Sequence, residues 1–513
     1  MDTVLGKLRT NLRDPIRRRN VALLMGGKMI GLGIVLFLIH ALMPGVANAQ
    51  DSSTPDPVAS INAINTAWVL IAAFLVFGMQ VGFVMLESGF ARERESVNIL
   101  VEGIADTCIC GILFWAVGFA FMFEDGNKFI GTHGFFLQNL PETYGTTGVP
   151  LLAFWVFQFA FADTASTITS GAMVGRCGFI GDILYSIGVT GFIYPIVGHW
   201  AWGPDGWLVV KGFHDFAGST VVHTIGGTIS LAGAIALGPR LGRVFKRDGG
   251  GPMPPHNLLL GAVGGLILWF GWYGFNPGST LSALDAQGIG RVSFNTTLAA
   301  CSAGLTALFY SYYRSGKWDL GLTVNGFLAG LVAITAPCYW VNPTGAFFIG
   351  IIGASAAIIG LEVLEFFRID DPIGAVPVHM FAGIAGTMSL GLFAAGRFGA
   401  PTATGADVTA TVDGLFYGGG THLLWVQTYG TLSVAASVLV VSLALMYAVK
   451  LTGTLRVSEA GEREGLDLHE HGAAAYPEFV VNRGMPAYAI PAPTFTHGTP
   501  GGTGTPVGAG RKD

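Results

Sequence analysis

Asp215-Phe-Ala-Gly218-Ser-Thr-Val-Val222-His223 and Asp371-Pro-Ile-Gly374-Ala-Val-Pro-Val378-His379 are two copies of one pattern, D-x-x-G-x-x-x-V-H, set 156 residues apart. Each opens a long apolar run. A bilayer core about 30 Å thick takes about 20 apolar residues of helix. Windows of that kind lie near residues 62–90, 98–123, 149–174, 178–202, 216–238, 257–277, 293–313, 322–340, 344–366, 372–395 and 426–450, eleven in all. The two copies begin the fifth and the tenth, so they enter the membrane from opposite sides. The fold this predicts is an all-α integral membrane protein of eleven transmembrane helices with inverted five-helix repeats, spans 1–5 and 6–10. Eight residues of helix rise about 12 Å, which carries His223 inward from one face and His379 inward from the other. In a core of about 30 Å both reach the middle. A lone buried histidine is ordinarily a hydrogen-bonded core residue. A pair at matched depth in matched repeats points to function, because intramembrane ionisable groups are costly. Asp371-Pro372 reads as a helix N-cap followed by a first-turn proline. Asp215 reads equally well as a cap or as a group that stabilises a cation.

The composition agrees with a membrane protein. Of 513 residues 51% are hydrophobic, only 12% are charged and 76 are glycine. Soluble proteins average about 25% charged. A disordered chain would be poor in apolar residues. A nucleic-acid binder would carry a basic excess, and the formal charge here is -5. Nine charged residues lie in residues 1–28 and twelve lie after Leu455, leaving 38 for the 427 residues between. That stretch is too poor in charge to face water, so a lipid bilayer is its expected surroundings. The many glycines suit close packing of helices in lipid.

Residues 1–49 read as a signal peptide: a basic start, the apolar run MIGLGIVLFLIHALMPGVANA, and Ala47-Asn48-Ala49 before a polar stretch. A retained anchor is the alternative. Residues 50–455 then form the transmembrane domain and 456–513 a C-terminal tail, of which about 485–513 is Gly/Pro/Thr-rich and expected to be disordered. With the mature N-terminus outside, the inner loops carry Arg92, Arg94, Arg176, Arg240, Arg243, Lys246, Arg247, Arg314, Lys317 and Arg368. The outer loops carry only Lys128, Lys211, Arg291 and Arg397. Ten against four obeys the positive-inside rule and makes the tail cytoplasmic, in a cell inner (plasma) membrane. Cys108, Cys110, Cys177, Cys301 and Cys338 lack framework spacing and read as buried small hydrophobes.

The remaining ionisable groups near the spans are acids: Glu87, Glu102, Asp106, Asp163, Asp182, Glu362 and Glu365, with no Lys or Arg inside a span. Acid-only interiors suit a cation route, although helix–helix hydrogen bonds and end contacts account for most of them singly. Span four ends in His199-Trp200-Ala201-Trp202-Gly203 and span six in Gly271-Trp272-Tyr273-Gly274-Phe275-Asn276-Pro277-Gly278-Ser279. Ring faces and a hydroxyl there can hold a small cation, or form an interfacial aromatic belt.

The stretches GFVMLESGFAR, FQFAFADTASTITSGA, GHWAWGPDGW, HDFAGSTVVH, PHNLLLGAVGGLILWFGWYGFNPGS, DDPIGAVPVH and EREGLDLHEHGAAAYP run from about residue 82 to 477. Together they resemble the ammonium transporter family (Amt/Mep/Rh), on its Amt branch. The resemblance implies a homotrimer with one narrow pore per subunit. Trp202 and Ser279, with Phe161 beside them, match the outer site that recruits ammonium, and Phe161 with Phe275 matches the stacked ring gate. His223 and His379 match the twin histidines of the pore, Trp272 lines it, and Asp215 matches the acidic residue near the outer site. It further implies that ammonium, or methylammonium as its analogue, is deprotonated outside and carried inward as ammonia while the proton passes separately. No cofactor and no metal are expected.

One position departs from the pattern: Gly175 stands before Arg176 where relatives carry a glutamate. Glu462-Arg463-Glu464-Gly465-Leu466-Asp467 resembles the family's regulatory tail, which implies a PII-type signalling protein at the cytoplasmic face. His469-Glu470-His471 reads as solvated polar residues rather than a metal motif. Three competing readings stand against a transporter. A metal-dependent intramembrane enzyme using His223, His379 and Asp215 lacks a third midplane ligand or an H-E-x-x-H helix. A sensor would need an output domain after Leu455. An Rh-type gas channel fits poorly with Trp202.

Overall fold

The computed structural model describes residues 57–396 and 412–477. The expected signal peptide with its cleavage site after Ala49, Arg397 and the Gly/Pro/Thr-rich end all lie outside those residues. The chain divides into a short N-terminal unit, Met1–Ile61, and a main unit, Asn62–Asp513. Of the first unit only the start of the first helix is described.

The main chain is a run of helices: α1 (Val58–Phe90), α2 (Glu93–Phe123), α3 (Leu151–Gly171), α4 (Phe179–Val210, broken at residues 203–206), α5 (Ser219–Leu237), α6 (Leu258–Gly278), α7 (Ala286–Ser315), α8 (Leu320–Thr335), α9 (Pro343–Phe367), α10 (Val376–Phe393) and α11 (His422–Leu451). Two short helices follow, α12 (Glu459–Glu464) and α13 (Leu466–His471). Ten of these are long and apolar enough to cross a membrane, and α8 is a shorter apolar helix. It stops before the expected end near 340 because the chain turns there. The turn packs Tyr339 and Trp340 against Phe216, at ring distances of 4.9 and 5.9 Å. Two small antiparallel pairs, Gly126–Asn127 with Ile130–Gly131 and Thr143–Tyr144 with Val149–Pro150, lie between α2 and α3.

Large apolar side chains such as Phe74, Ile104, Leu152, Phe270, Trp425 and Val440 are exposed on the helix surfaces. Lipid accepts such a surface, and helices satisfy the backbone polar groups that lipid cannot. Glycine sets the closest helix contacts. A Cβ on Gly264 would lie 2.4 Å from the backbone nitrogen of Leu86, and one on Gly89 would lie 2.3 Å from that of Gly261. The seam of α1 and α6 therefore tolerates no larger residue at those points.

Two expectations about the spans need correction. Arg291 lies inside α7, where its Nε donates to the Tyr339 carbonyl at 3.0 Å, and Lys450 lies in the last turn of α11, donating to the Ala236 carbonyl. Both are near helix ends, where a long side chain reaches a polar partner. Cys110, Cys177 and Cys338 are buried, but Cys108 and Cys301 are exposed on the flanks of α2 and α7.

The two D-x-x-G copies fold alike, and both helices start later than the pattern predicts. Asp215 accepts hydrogen bonds from the backbone N–H groups of Gly218, Ser219, Thr220 and Val221, at 2.8 to 3.0 Å. Asp371 accepts from Ile373, Gly374, Ala375 and Val376, at 2.8 to 3.3 Å. Four N–H groups are orphaned at any helix start. Here one carboxylate takes all four. Gly218 and Gly374 make the bend, with φ of 114° and 85° in the left-handed region. So both aspartates are caps, Pro372 is not the first helical residue, and the eight-residue helical rise does not apply. Each helix opens instead on a π-helical turn, Ser219–Thr224 and Val376–Phe381, and the histidines sit in those turns. Such turns recur at functional sites.

The opening turn of α5 packs along the later part of α10, and that of α10 along the later part of α5, so the two helices cross antiparallel. Gly227 and Gly383, each four residues past a histidine, permit the crossing. A Cβ on Gly227 would lie 2.4 Å from the Met380 nitrogen, and one on Gly383 would lie 2.5 Å from the Ser219 carbonyl oxygen.

The face that carries the tail is tied by charge. Arg176, fully buried, donates to the carbonyls of Gly238, Val174 and Asp370. Arg240 holds the Asp370 carboxylate in a fork at 2.7 and 2.9 Å. Glu462 of α12 accepts from the Leu241 N–H at 2.5 Å and pairs with Arg456 at 2.8 Å. Asp467 of α13 accepts from the Asn98 N–H at 2.9 Å. His471 is not simply solvated: its Nε2 lies 2.8 Å from the Asn98 side-chain oxygen, and its ring meets Phe179 edge-on. Gly175 explains itself by its surroundings. Its φ is 81°, and a Cβ there would lie 2.7 Å from the Glu95 carboxylate, which is buried and paired with Arg92. Glu95 fills the room that a glutamate at 175 would need.

Two outcomes follow from this packing. Gly383→Ala forces a methyl group onto backbone and is expected to cost about 1–3 kcal/mol, read as a lower thermal midpoint; an unchanged midpoint would contradict the crossing. Burial alone would raise the Asp370 pKa, but Arg240, bonded to it, holds the carboxyl well below the usual carboxylate range. A depressed folded pKa gives stability that is complete above the unfolded value of about 3.9 and drains as pH falls further. Asp370→Asn should therefore lower the thermal midpoint at pH 7, with the gap to wild type closing progressively below about pH 4.

Candidate functional site

Six ring side chains from α3, α4, α5, α6 and α10 form one column. Trp202, at the end of α4's long helical part, is buried, and its indole N–H donates to the Asp215 carbonyl at 2.7 Å. That bond links the outermost ring to the loop that starts α5. Phe161 of α3 meets Trp202 edge-on at 6.1 Å and stacks on Phe275 of α6 at 4.1 Å. Both phenyl rings are almost wholly buried. They close the column with apolar faces and leave no polar atom between them.

Below the phenyl pair comes His223. Its ring stacks on Phe275 at 5.4 Å and on Trp272 at 5.1 Å. Trp272 is itself fixed, because its indole N–H donates to the Thr335 hydroxyl at 2.9 Å and that hydroxyl donates to the Leu331 carbonyl at 2.7 Å. His223 and His379 face each other Nδ1 to Nδ1 at 3.2 Å, with ring centroids 5.2 Å apart. His223 is fully buried, and its Nε2 has no partner among the described residues. Phe83 of α1 closes the far side of His379 at 6.3 Å.

This contact fixes the chemistry of the pair. Two neutral imidazoles can share an Nδ1 contact only if one donates and the other accepts. The donor at Nδ1 then has a bare Nε2, and the acceptor at Nδ1 bears hydrogen on its Nε2. The pair therefore presents one donor and one acceptor along the column, whichever tautomer each ring holds. Moving the shared proton across and exchanging the outer ones reverses the order.

The loop between α4 and α5 is held from several sides. The Ser219 hydroxyl donates to the Val332 carbonyl at 2.7 Å and accepts from the Ala336 N–H at 2.6 Å. Thr220 bonds to Thr387 of α10 and to Thr431 of α11, at 2.8 and 2.9 Å. Gln427 of α11 clamps the backbone of His214 on both sides, at 2.9 and 2.6 Å. Asp215 is fully buried, and its two oxygens are occupied by the four backbone bonds. It acts on the column through the loop it shapes and through its own carbonyl.

Of the residues that the sequence singled out, Trp202, Phe161, Phe275, His223, Trp272 and His379 come together. Ser279 follows α6 directly, one turn past Phe275, and its hydroxyl donates to the Phe275 carbonyl at 2.8 Å. Among the described residues, no group of three or more His, Cys, Asp and Glu could hold a metal ion. Sequence reasoning missed Thr335, Gln427, Gly227 and Gly383. The glycines carried a readable signal, since both copies continue past the histidine to a glycine four residues on.

Comparison with known proteins gives the family. Residues 67–476 match the model of the Ammonium Transporter Family. Ammonium transporter Amt2 of Archaeoglobus fulgidus is 40% identical over 467 residues, spanning 89% of this chain and 97% of that protein. A putative ammonium transporter of Synechocystis is 38% identical, spanning 85% of this chain and 94% of that protein. Among solved structures, a Sensor Amt Protein superposes with a TM-score of 0.73 at 37% identity, covering 80% of this chain and 99% of that one. Mep2 of Candida albicans superposes with a TM-score of 0.70 at 28% identity, covering 78% and 87%. A match of this extent leaves one conclusion: the chain belongs to the ammonium transporter family, whose members are membrane transporters and not enzymes.

Proposed function

We propose that this transporter takes up the ammonium ion at Trp202, above the loop that Asp215 shapes, that the ion there gives up its proton, which passes separately, and that ammonia goes along the ring column to the histidine pair. The observation that carries the reading is the 3.2 Å contact between the Nδ1 atoms of His223 and His379, beneath a stacked phenyl pair. Trp202 offers a ring face and Ser279 a hydroxyl near the column's outer end, groups that attract a small cation. The phenyl pair below offers none. An ion moved unpaired into an apolar medium pays tens of kcal/mol on idealised estimates, whereas neutral ammonia pays only for lost hydrogen bonds. The histidine pair returns those bonds, and its donor–acceptor order gives a separated proton a relay.

Selectivity follows from the same step. Potassium has no proton to lose, so the phenyl pair stops it without a size filter.

Several wider features belong to the same reading. The antiparallel crossing of α5 and α10 and their twin aspartate caps support inverted five-helix repeats, with α8 counted as the eighth of eleven spans. The tail face, rich in arginine, is the cytoplasmic one by the positive-inside rule. The protein works as a homotrimer in an inner membrane. A PII-type protein meets the docked tail, a reading encouraged by the likeness to a Sensor Amt Protein.

The test is uptake of radiolabelled methylammonium, or an ammonium-evoked current, in proteoliposomes. Wild type should carry it. His223→Asp and His379→Ala should each change the flux at least about tenfold, equivalent to about 1.4 kcal/mol at the barrier. Wild-type vesicles without flux would defeat the transport reading, and variants matching wild type would defeat the role of the pair. Asp215→Ala leaves four buried N–H groups without an acceptor. At about 1–3 kcal/mol each, that variant should lose most of its folded yield.

A further inference from the structure

Past His379 the wall of the column changes character. A cavity of about 20 Å³ opens there, bounded by Glu87, Asn325, His379, Phe83, Leu268 and Val378 among others. That is room for about one water-sized molecule, and so for one ammonia or ammonium. The polar side chains at its wall are those of Glu87, Asn325 and His379. Glu87 of α1 is a carboxyl group, only 4% exposed. Asn325 of α8 donates one amide hydrogen to the Ile373 carbonyl at 3.0 Å, and its side-chain oxygen is able to accept. Glu87 accepts from the Ser170 hydroxyl at a long 3.4 Å, a hydroxyl that also lies 2.9 Å from the Thr167 carbonyl. No lysine or arginine lines the cavity. A carboxyl buried without a cationic partner is costly unless its environment brings one.

We propose that Glu87 is the inner ammonium subsite of this transporter, the group that gives ammonia back its proton and holds the ion before release. The proposal rests on the transport reading above and adds the exit to it. Ammonia leaving His379 takes the carboxylic proton of Glu87. One N–H bond forms and one O–H bond breaks, leaving ammonium against a carboxylate. The pair is neutral in sum for as long as the ion is held. Ammonium then leaves into water on the tail side, and hydronium there returns a proton to Glu87. The groups that face this carboxyl across the packed elements are Ser170 of α3, Asp182 of α4, Asp371 at the start of α10, and His379. The two aspartates carry the same sign as Glu87, so neither can pair with its carboxylate, whereas the ammonium formed in the cavity can.

The experiment measures radiolabelled methylammonium transport in right-side-out and inverted membrane vesicles, for wild type, Glu87→Gln and Glu87→Asp. Glu87→Gln keeps the shape and removes the charge. It should raise the KM measured from the tail side at least tenfold and leave the KM from the opposite side within twofold. Glu87→Asp, which keeps the carboxylate, should recover the tail-side KM to within threefold of wild type. An unchanged tail-side KM, an equal loss on both sides, or no recovery in Glu87→Asp would overturn the proposal and make Glu87 a packing residue. Absence of flux in wild type would instead overturn the transport reading itself, so the two failures are distinguishable.

Discussion

Two carboxylates, Asp215 and Asp371, each gather four backbone N–H groups, and the position of everything in the column depends on them. A helix that begins inside a protein must satisfy its first N–H groups locally. A single short acid does so only if the chain bends sharply, which Gly218 and Gly374 allow. The bend delivers a π-helical turn, and the turn points a histidine at its counterpart. Remove a cap and the loss is not one hydrogen bond but the register of the helix start. Asp215 thereby shapes the column while touching it only through its backbone carbonyl and the Trp202 indole.

The second constraint is apolar. Phe275 and Trp272 lie against the upper imidazole with ring faces, and its Nδ1 meets the other histidine. A group so placed has no reason to hold a charge and good reason to hold a directional hydrogen bond. Polar atoms are present just outside the ring wall, in Thr335, Ser219 and Thr220, but they are consumed in joining α5, α8, α10 and α11. Hydroxyl bonds thus stiffen the surroundings of the column, whose own lining is rings and two imidazoles.

Much of this was legible in the sequence. Apolar windows located the helices because lipid demands about 20 such residues in a row. The repeated D-x-x-G-x-x-x-V-H found the histidine pair, since a pattern that recurs in opposite orientation has few structural causes. What could not be read lies where long-range contacts decide. Asp371 looked like a cap next to the first turn and Asp215 like either a cap or a cation-stabilising group, yet both cap helices whose true starts come later, because carboxylate and glycine together reshape the loop. The tail histidine His471 looked solvated because nothing local signals that Asn98, 373 residues away, receives it. Gly175 looked like a missing glutamate, and only packing reveals Glu95 in the vacated space. Glu87 looked like one acid among several, and its place below His379 depends on α1, α8 and α10 converging.

The central claim is that the cation surrenders its proton before it passes the rings. Rubidium, a permanent cation, tests this against methylammonium, which can be deprotonated. Radiolabelled fluxes of both are measured in the same wild-type proteoliposomes under the same gradient. The account predicts methylammonium flux well above protein-free vesicles and rubidium flux equal to them. Rubidium carried at a rate comparable to methylammonium would mean that intact cations traverse the column, and would contradict the account.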